Sequence, residues 1–462
     1  MPLPELFVEQ MRALLPANEL ENFIKSLGES DPEVSVRINS AKYHSMPDTN
    51  IVPWCNKGFY IDHRPQFTFD PALHSGVYYV QDASSMFLAY VIDKLVDKTK
   101  PVRYLDLCAA PGGKTTTAVG ALPEGSLVVA NEIMNNRAQI LKENIIKWGN
   151  PNCVVTCNDS AAYSRLTHFF DIIAADVPCS GEGMMRKDDE AVAQWTPALV
   201  RECAERQREI VDNAWQALRP GGLLIYSTCT FNQPENENIV EYLVNEYGAE
   251  SIDLAPPAEW DISTSINSPT HGYHFFPHRT RGEGLFLAVV RKPDGEMREI
   301  LRPSKNKKNK KDAPVQVPKE VKEWISNPKS MQLMISGDSI NAIPIDYSDE
   351  ITILNEYLRV ISQGCEVATI KGKDLIPAHA LALNTIIEKQ SFPSCEVGYT
   401  TAIAFLRGET IVVDAPRGFV LITYNNLPIG WVKNLGNRSN NLYPKEWRIK
   451  STHIPTIAPK VV

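Results

Sequence analysis

Two cysteines stand in settings that suit chemistry better than packing. Cys179 lies in the run Asp176-Val-Pro-Cys179-Ser-Gly-Glu-Gly, and Cys229 in Tyr226-Ser-Thr-Cys229-Thr-Phe. Each follows an apolar stretch and is flanked by small or polar residues. A thiolate is a soft nucleophile, suited to adding to an electron-poor ring carbon. A free thiol of pKa ~8.5 is only a few per cent ionised at neutral pH, so a site that uses one must lower its pKa. Asp176, three residues before Cys179, offers an acid to stabilise charge on such a ring. The residues alone do not say which cysteine attacks. The bland reading of a cysteine, a small buried hydrophobe, is applied to Cys55, Cys153, Cys157, Cys203, Cys365 and Cys395.

A second constellation is YLDLCAAPGGKTTT, residues 104–117. An apolar run ends at Asp106 to Cys108, then Pro111, Gly112 and Gly113 turn the chain, and Lys114 opens a threonine-rich helix. Such a turn between a strand and a helix N-terminus makes a nucleotide-sized pocket, with backbone N–H groups facing the ligand. Two ligands fit. Residues 108–115 match the phosphate-binding pattern Gly-x4-Gly-Lys-Ser/Thr everywhere except at Cys108, which replaces the first glycine. The apolar run 170–176 even supplies the acid-ended strand an ATPase would want. Against ATP stands Glu132, about twenty residues after the turn and at the end of the next apolar run, where a carboxylate meets ribose hydroxyls. A nucleoside without a triphosphate needs that residue. With such a cofactor, one reaction that needs a thiol is modification of carbon 5 of a cytosine, which becomes nucleophilic once something adds to carbon 6.

These residues need a scaffold that gathers strand ends. Apolar strands are expected at 102–107, 126–130, 153–156, 170–175 and 222–227, with helical patterns near 115–122, 134–148 and 199–218. The alternation predicts a doubly wound, mostly parallel α/β sheet with its ligands beyond the carboxyl ends of the strands. The fourth and fifth strands should be neighbours, which puts Cys179 and Cys229 at one sheet edge near the glycine turn. Around this catalytic unit, 76–293, the chain divides further. Residues 1–75 read as a small α/β module of RNA-binding type, in which Arg37 and Asn39 read as solvated positions on a strand pair. Residues 294–323, with SKNKKNKKD, have the composition of a basic flexible linker. A further α/β region is expected at 324–395 and a last module at 396–462. In that last module Trp431, Lys433, Tyr443 and Lys445 suit RNA contact and a small β-barrel equally. Everything beyond 324 reads as separable from the cofactor site.

Composition narrows the classes. The 462 residues carry a formal charge of −8, which argues mildly against nucleic acid without excluding a local basic surface. Nine scattered cysteines, with no CxxC pair, argue against a disulfide framework or structural zinc and for a reducing cytoplasm. No run approaches the ~18 apolar residues of a spanning helix. No metal and no membrane contact are expected.

The motifs CAAPGGKT, DVPCSGEG and YSTCTF, in this order, resemble the Nop/Sun family of RNA cytosine-5 methyltransferases, with RIN, YVQDASS and FPHRTRGEG in support. GEGMMRKD and the long C-terminal extension resemble its RsmF-type bacterial branch, whose last module is PUA-like. The resemblance implies a Rossmann-like core that binds S-adenosylmethionine through Cys108, Ala109, Ala110, Pro111, Gly112, Gly113, Lys114, Glu132, Arg137, Asp159 and Asp176. It implies Cys229 as the nucleophile and Cys179 as the residue that assists release of the methylated base. Asp176 would contact N3 of the cytosine, with Lys114 beside it. One departure is Pro234, where related sequences commonly carry an acid. The implied substrate is small-subunit ribosomal RNA, free or in the assembled subunit, and the implied state is a cytoplasmic monomer. Rival readings are methylation of transfer RNA, a P-loop ATPase, and a non-catalytic RNA-binding assembly factor that would tolerate loss of Cys229.

Overall fold

The computed structural model describes residues 2–28, 33–296, 301–304 and 317–462. The lysines of the SKNKKNKKD run lie outside the described residues. At the centre, five strands run parallel in the spatial order Leu218–Thr228, Phe170–Asp176, Arg103–Asp106, Leu127–Asn131, Cys153–Thr156. Successive residues of these strands feed opposite faces, as the two-residue period of a strand requires. Leu105, Val129, Val154, Ile173 and Leu224 join the core beneath the helices Pro197–Ala217 and Glu237–Tyr247. Tyr104, Val128, Val155, Ile172 and Ile225 join the opposite core, packed against Gly113–Ala121, Asn135–Trp148 and Phe87–Leu95. Both faces are covered, so the strands read as continuous apolar runs. The expected strands and helices are all present, with ends shifted by a few residues.

The two edges of the sheet close differently. Leu285–Arg291 runs antiparallel beside Leu218–Thr228, followed by Tyr273–Phe275 and Ser263–Thr264. At the far edge, Val360–Gln363 pairs antiparallel with Cys153–Thr156. A strand from beyond 324 therefore completes the catalytic sheet. This corrects the expectation that the C-terminal part is separable: it caps an edge that would otherwise expose unpaired backbone. Ile351, Leu354 and Leu358, from the same region, are buried in the same core as Leu127 and Val154.

The N-terminal sheet has the order Ile51–Val52, Cys55–Ile61, Val34–Ile38, Tyr78–Val80, so its last strand lies beyond residue 75. Two amphipathic helices, Glu5–Leu14 and Ala17–Gly28, precede it. Their Phe7, Met11 and Phe23 pack with Trp195, Phe231 and Phe276 of the catalytic unit. Arg37 and Asn39 are buried, contrary to the solvated reading, because both face the catalytic unit across the module boundary. Asn39 Nδ2 donates to the carbonyls of Gly76 and Trp148, each at 2.9 Å.

Beyond 324 there are two four-stranded sheets besides the shared edge strand. In the last one Trp431 and Tyr443 are buried. Trp431 Nε1 donates to Ala378 O at 2.9 Å, and Tyr443 packs with Phe405, His379 and His74. These two aromatic residues therefore belong to the core, not to a stacking surface. Among the described residues no helix is long and apolar enough to cross a membrane.

Candidate active site

The cofactor loop is built as the sequence suggests. Arg103–Asp106 ends at the turn, and Gly112, at φ 116°, precedes the helix that begins at Gly113. That backbone angle favours glycine, and a Cβ there would also sit 3.2 Å from Leu141. Arg37 and Gln81 brace the helix from behind. Arg37 donates to Gln81 Oε1 at 2.9 Å and to Thr116 Oγ1 at 2.6 Å, with its guanidinium 4.6 Å from the Trp148 ring centre. Burial lowers the Arg37 pKa to about 10, so the side chain stays charged at neutral pH. RIN and YVQD thus help to fix the loop.

Three strand ends are stitched by Asn131, whose Nδ2 donates to Leu107 O at 3.1 Å and Asn158 O at 2.9 Å. Next to it Glu132 is only 3% exposed. Its Oε1 accepts from Met134 N at 2.9 Å, and Arg137 Nη1 lies 3.3 Å from Oε2. Arg137 also donates to Ala110 O at 2.9 Å, tying the acid to the turn. A carboxylate has about four acceptor positions, so two remain for a pair of ribose hydroxyls. Asp159 is exposed and caps the turn that follows the third strand, accepting from Ala161 N at 2.8 Å. Asp106 is 1% exposed; its Oδ2 accepts from Thr115 Oγ1 at 2.6 Å and its Oδ1 has no partner. Burial pushes its pKa up to about 7. An orphaned carboxylate oxygen below the glycine turn, with a ribose-type acid one strand away, fits a cofactor carrying both an ammonium group and a ribose. Burial and the acids Asp106, Asp176 and Glu132 push the Cys108 thiol up, which keeps that residue neutral.

The catalytic candidates converge from the fourth and fifth strands. Asp176 and Ser227 are directly paired across them, and Ser227 Oγ donates to Asp176 Oδ1 at 2.7 Å. Lys114 Nζ lies 2.9 Å from Asp176 Oδ2 and 3.5 Å from Ser85 Oγ. Burial depresses the Lys114 pKa, but Asp176 outweighs it, leaving the ammonium more basic than usual. Cys179 Sγ and Cys229 Sγ are 3.2 Å apart, both half-buried, and all nine cysteines are free. A hydrogen bond to Cys229, and then burial, hold the Cys179 thiol well above the usual range. At that distance either sulfur can donate its proton to the other.

Sequence reasoning missed the residues around the cysteines. Glu182, Glu235, Gln207 and Asn232 form a buried polar network beneath the two thiols. Glu182 lies in the quoted run PCSGEG, but nothing in its spacing announces its partners. Pro234, the departure noted above, lies within the short turn Gln233–Glu235, which is capped by Asn232 and ends at the buried Glu235 side chain. Of the six cysteines read as buried, Cys203 and Cys395 are partly exposed. A cavity of about 640 Å³ elsewhere, lined by Asn39, Trp148, Asn327 and Tyr347 among others, contains none of the predicted site residues.

Many α/β proteins bind nucleosides at this sheet edge. One that also gathers an acid, a lysine and two thiols there belongs to the class of S-adenosylmethionine-dependent RNA methyltransferases. Comparisons with known proteins agree. Residues 94–291 match the family model of the 16S rRNA methyltransferases RsmB/F, residues 3–83 the N-terminal domain of 16S rRNA methyltransferase RsmF, and residues 392–449 the RsmF PUA domain. Ribosomal RNA small subunit methyltransferase F of Enterobacter sp. (strain 638) is 30% identical, over 96% of this chain and 95% of its own. The protein of that name from Serratia proteamaculans (strain 568) is also 30% identical, over 96% of both chains. The chain belongs to the ribosomal RNA small subunit methyltransferase F family. Among solved structures, a methyltransferase homologue from Pyrococcus horikoshii superposes with a TM-score of 0.54 at 24% identity, covering 63% of this chain and 95% of that one. NSun6 from the same organism, solved with SFG, gives 0.53 at 19% identity, covering 64% and 99%. These two likenesses show the fold.

Proposed function

We propose that this enzyme methylates carbon 5 of a cytosine in small-subunit ribosomal RNA through a covalent adduct on Cys229. The observation that carries the reading is the thiol pair at 3.2 Å beside the Lys114–Asp176 ion pair. S-adenosylmethionine would be held by residues 108–114, Glu132, Arg137, Asp159 and Asp176, and would supply the methyl group as an electrophilic sulfonium carbon. Cys229 Sγ adds to carbon 6, and the electron pair of the ring's 5,6 double bond becomes available at carbon 5. Asp176, positioned by Lys114 and Ser227, meets the N3 edge and passes a proton to N3 as the ring gains electron density, which neutralises the negative charge that addition at carbon 6 would otherwise leave there. Once carbon 5 carries the methyl group its proton passes to solvent water, the C5–H electron pair re-forms the 5,6 double bond, and the Cys229 sulfur departs with the electron pair of the S–C6 bond. The protonated Cys179 supports that departure by hydrogen-bonding the leaving sulfur.

Flipping the base from a helix costs a few kcal/mol, which backbone contacts by the N-terminal and PUA-like modules would offset. The family relation of those two modules, and the names of the relatives, support ribosomal RNA over transfer RNA. Bisulfite mapping of ribosomal RNA from a deletion strain, followed by methylation of that RNA and of assembled small subunits in vitro, tests the reading. One or more unmethylated cytosines in the small-subunit RNA, restored by the purified protein, are expected. Unchanged ribosomal methylation would sink the ribosomal assignment.

A further inference from the structure

The two loops that carry the cysteines hold each other by an exchange of carboxylates. Glu182, three residues after Cys179, reaches into the other loop: its Oε2 accepts from Phe231 N at 2.7 Å and Asn232 N at 3.1 Å. Glu235, six residues after Cys229, reaches back: its Oε2 accepts from Ser180 N at 3.0 Å, and its Oε1 from Ser180 Oγ. Gly183 N donates to Cys229 O at 2.9 Å, a fifth bond across the same seam. Both carboxylates are fully buried.

Their remaining positions are filled as well. Glu182 Oε1 accepts from Gln10 Nε2 at 2.8 Å, Trp195 Nε1 at 3.0 Å and Asn232 Nδ2 at 3.0 Å. Gln207 Nε2 donates to Glu235 Oε2 at 2.8 Å, and Asn232 Nδ2 donates to its Oε1 at 2.8 Å. Glu182 thus accepts from five donors. A buried ion so fully satisfied is costly to assemble and costly to disturb. A hydrophobic pair could pack the same loops, so the carboxylates specify a geometry that packing alone does not.

We propose that Glu182 and Glu235 are positioning residues that set the separation of Cys179 and Cys229, so that one proton can be shared between the two sulfurs during release. The proposal rests on the reading of those cysteines as the release and attacking thiols. Replacing Glu182 with glutamine keeps its shape but turns one acceptor into a donor facing other donors. That mismatch shifts one loop against the other and leaves the cofactor loop alone, since Glu182 and Glu235 make no contact with residues 108–114.

Purified E182Q and E235Q are compared with the wild-type enzyme in three measurements. In methylation of small-subunit RNA, kcat should fall between about tenfold and a hundredfold, the usual cost of a misplaced reacting group, while the KM for RNA and the cofactor Kd stay within twofold. E182D, which keeps the charge, should recover part of kcat. In the third measurement an azo oxidant (diamide) removes two hydrogens from the Cys179 and Cys229 thiols, giving the disulfide and a hydrazine. That rate reads the sulfur separation directly, whichever cysteine attacks, and should fall by a similar factor in both variants. Wild-type kcat and wild-type oxidation rates in either variant would overturn the proposal. So would loss of cofactor binding in both variants, because that outcome assigns the carboxylates a purely structural role. Slowed oxidation with unchanged kcat would leave the clamp standing and instead remove the shared-proton role for Cys179.

Discussion

At the residue scale the site rests on the thiol pair, on Lys114 held against Asp176 at the start of a helix, and on the buried Glu132. Sequence chemistry left Cys179 and Cys229 interchangeable. The fold brings the two sulfurs within 3.2 Å of each other, and the assignment of Cys229 as the attacking thiol rests on the family resemblance. Glu182 and Glu235 were not legible, since their partners lie about fifty residues away in the chain and become neighbours only when the fourth and fifth strands pair. Glu132 makes the clearest residue-scale test of the cofactor site. Glu132→Ala should weaken S-adenosylmethionine binding by roughly 1–3 kcal/mol, the cost of leaving ribose hydroxyls without their acceptor. Calorimetry with wild-type affinity in that variant would remove Glu132 from the site.

At the scale of elements, long apolar runs announced every central strand, because a parallel strand buried on both faces has no polar alternation to blur it. The edge strand Val360–Gln363 escaped notice for the opposite reason. It is short, none of its residues is fully buried, and it takes its place only through a partner two hundred residues earlier. Its consequence is testable. A protein ending near 324 loses this strand together with Ile351, Leu354 and Leu358, each worth about 1.5–3 kcal/mol when buried. It should be insoluble or melt far below the full chain, with cofactor binding impaired as a result. A truncated protein with an unchanged melting temperature and unchanged cofactor affinity would show that the edge needs no cover.

At the scale of the molecule, the modules are joined by buried contacts that no local pattern reveals. Arg37 and Asn39 link the N-terminal sheet to the cofactor helix and to the end of Asn135–Trp148. His74 links the same module to the C-terminal one: Nε2 bonds Thr68 O at 2.8 Å and Nδ1 lies 3.1 Å from Tyr443 Oη. Burial, with Lys147 nearby, lowers its pKa to about 4, and burial lowers that of His379, against the same tyrosine, to about 3. Both histidines are neutral when folded and take up a proton more readily when unfolded. The unfolded chain therefore binds more protons between pH ~6.5 and the folded values, and stability must fall as the pH drops through that window. Acid unfolding followed by circular dichroism should show a loss of about 1–2 kcal/mol per histidine by pH ~5. His74→Gln should lose less over the same range; an identical pH slope in that variant would acquit His74.

The account turns on which sulfur joins the RNA. Cys229→Ala and Cys179→Ala are each incubated with S-adenosylmethionine and a substrate RNA, then run on a denaturing gel. Attack by Cys229 predicts no conjugate and no methylation from Cys229→Ala. Assistance in release by Cys179 predicts a protein–RNA conjugate that accumulates with Cys179→Ala and survives denaturation. Conjugate trapped by the Cys229→Ala variant would contradict the assignment outright.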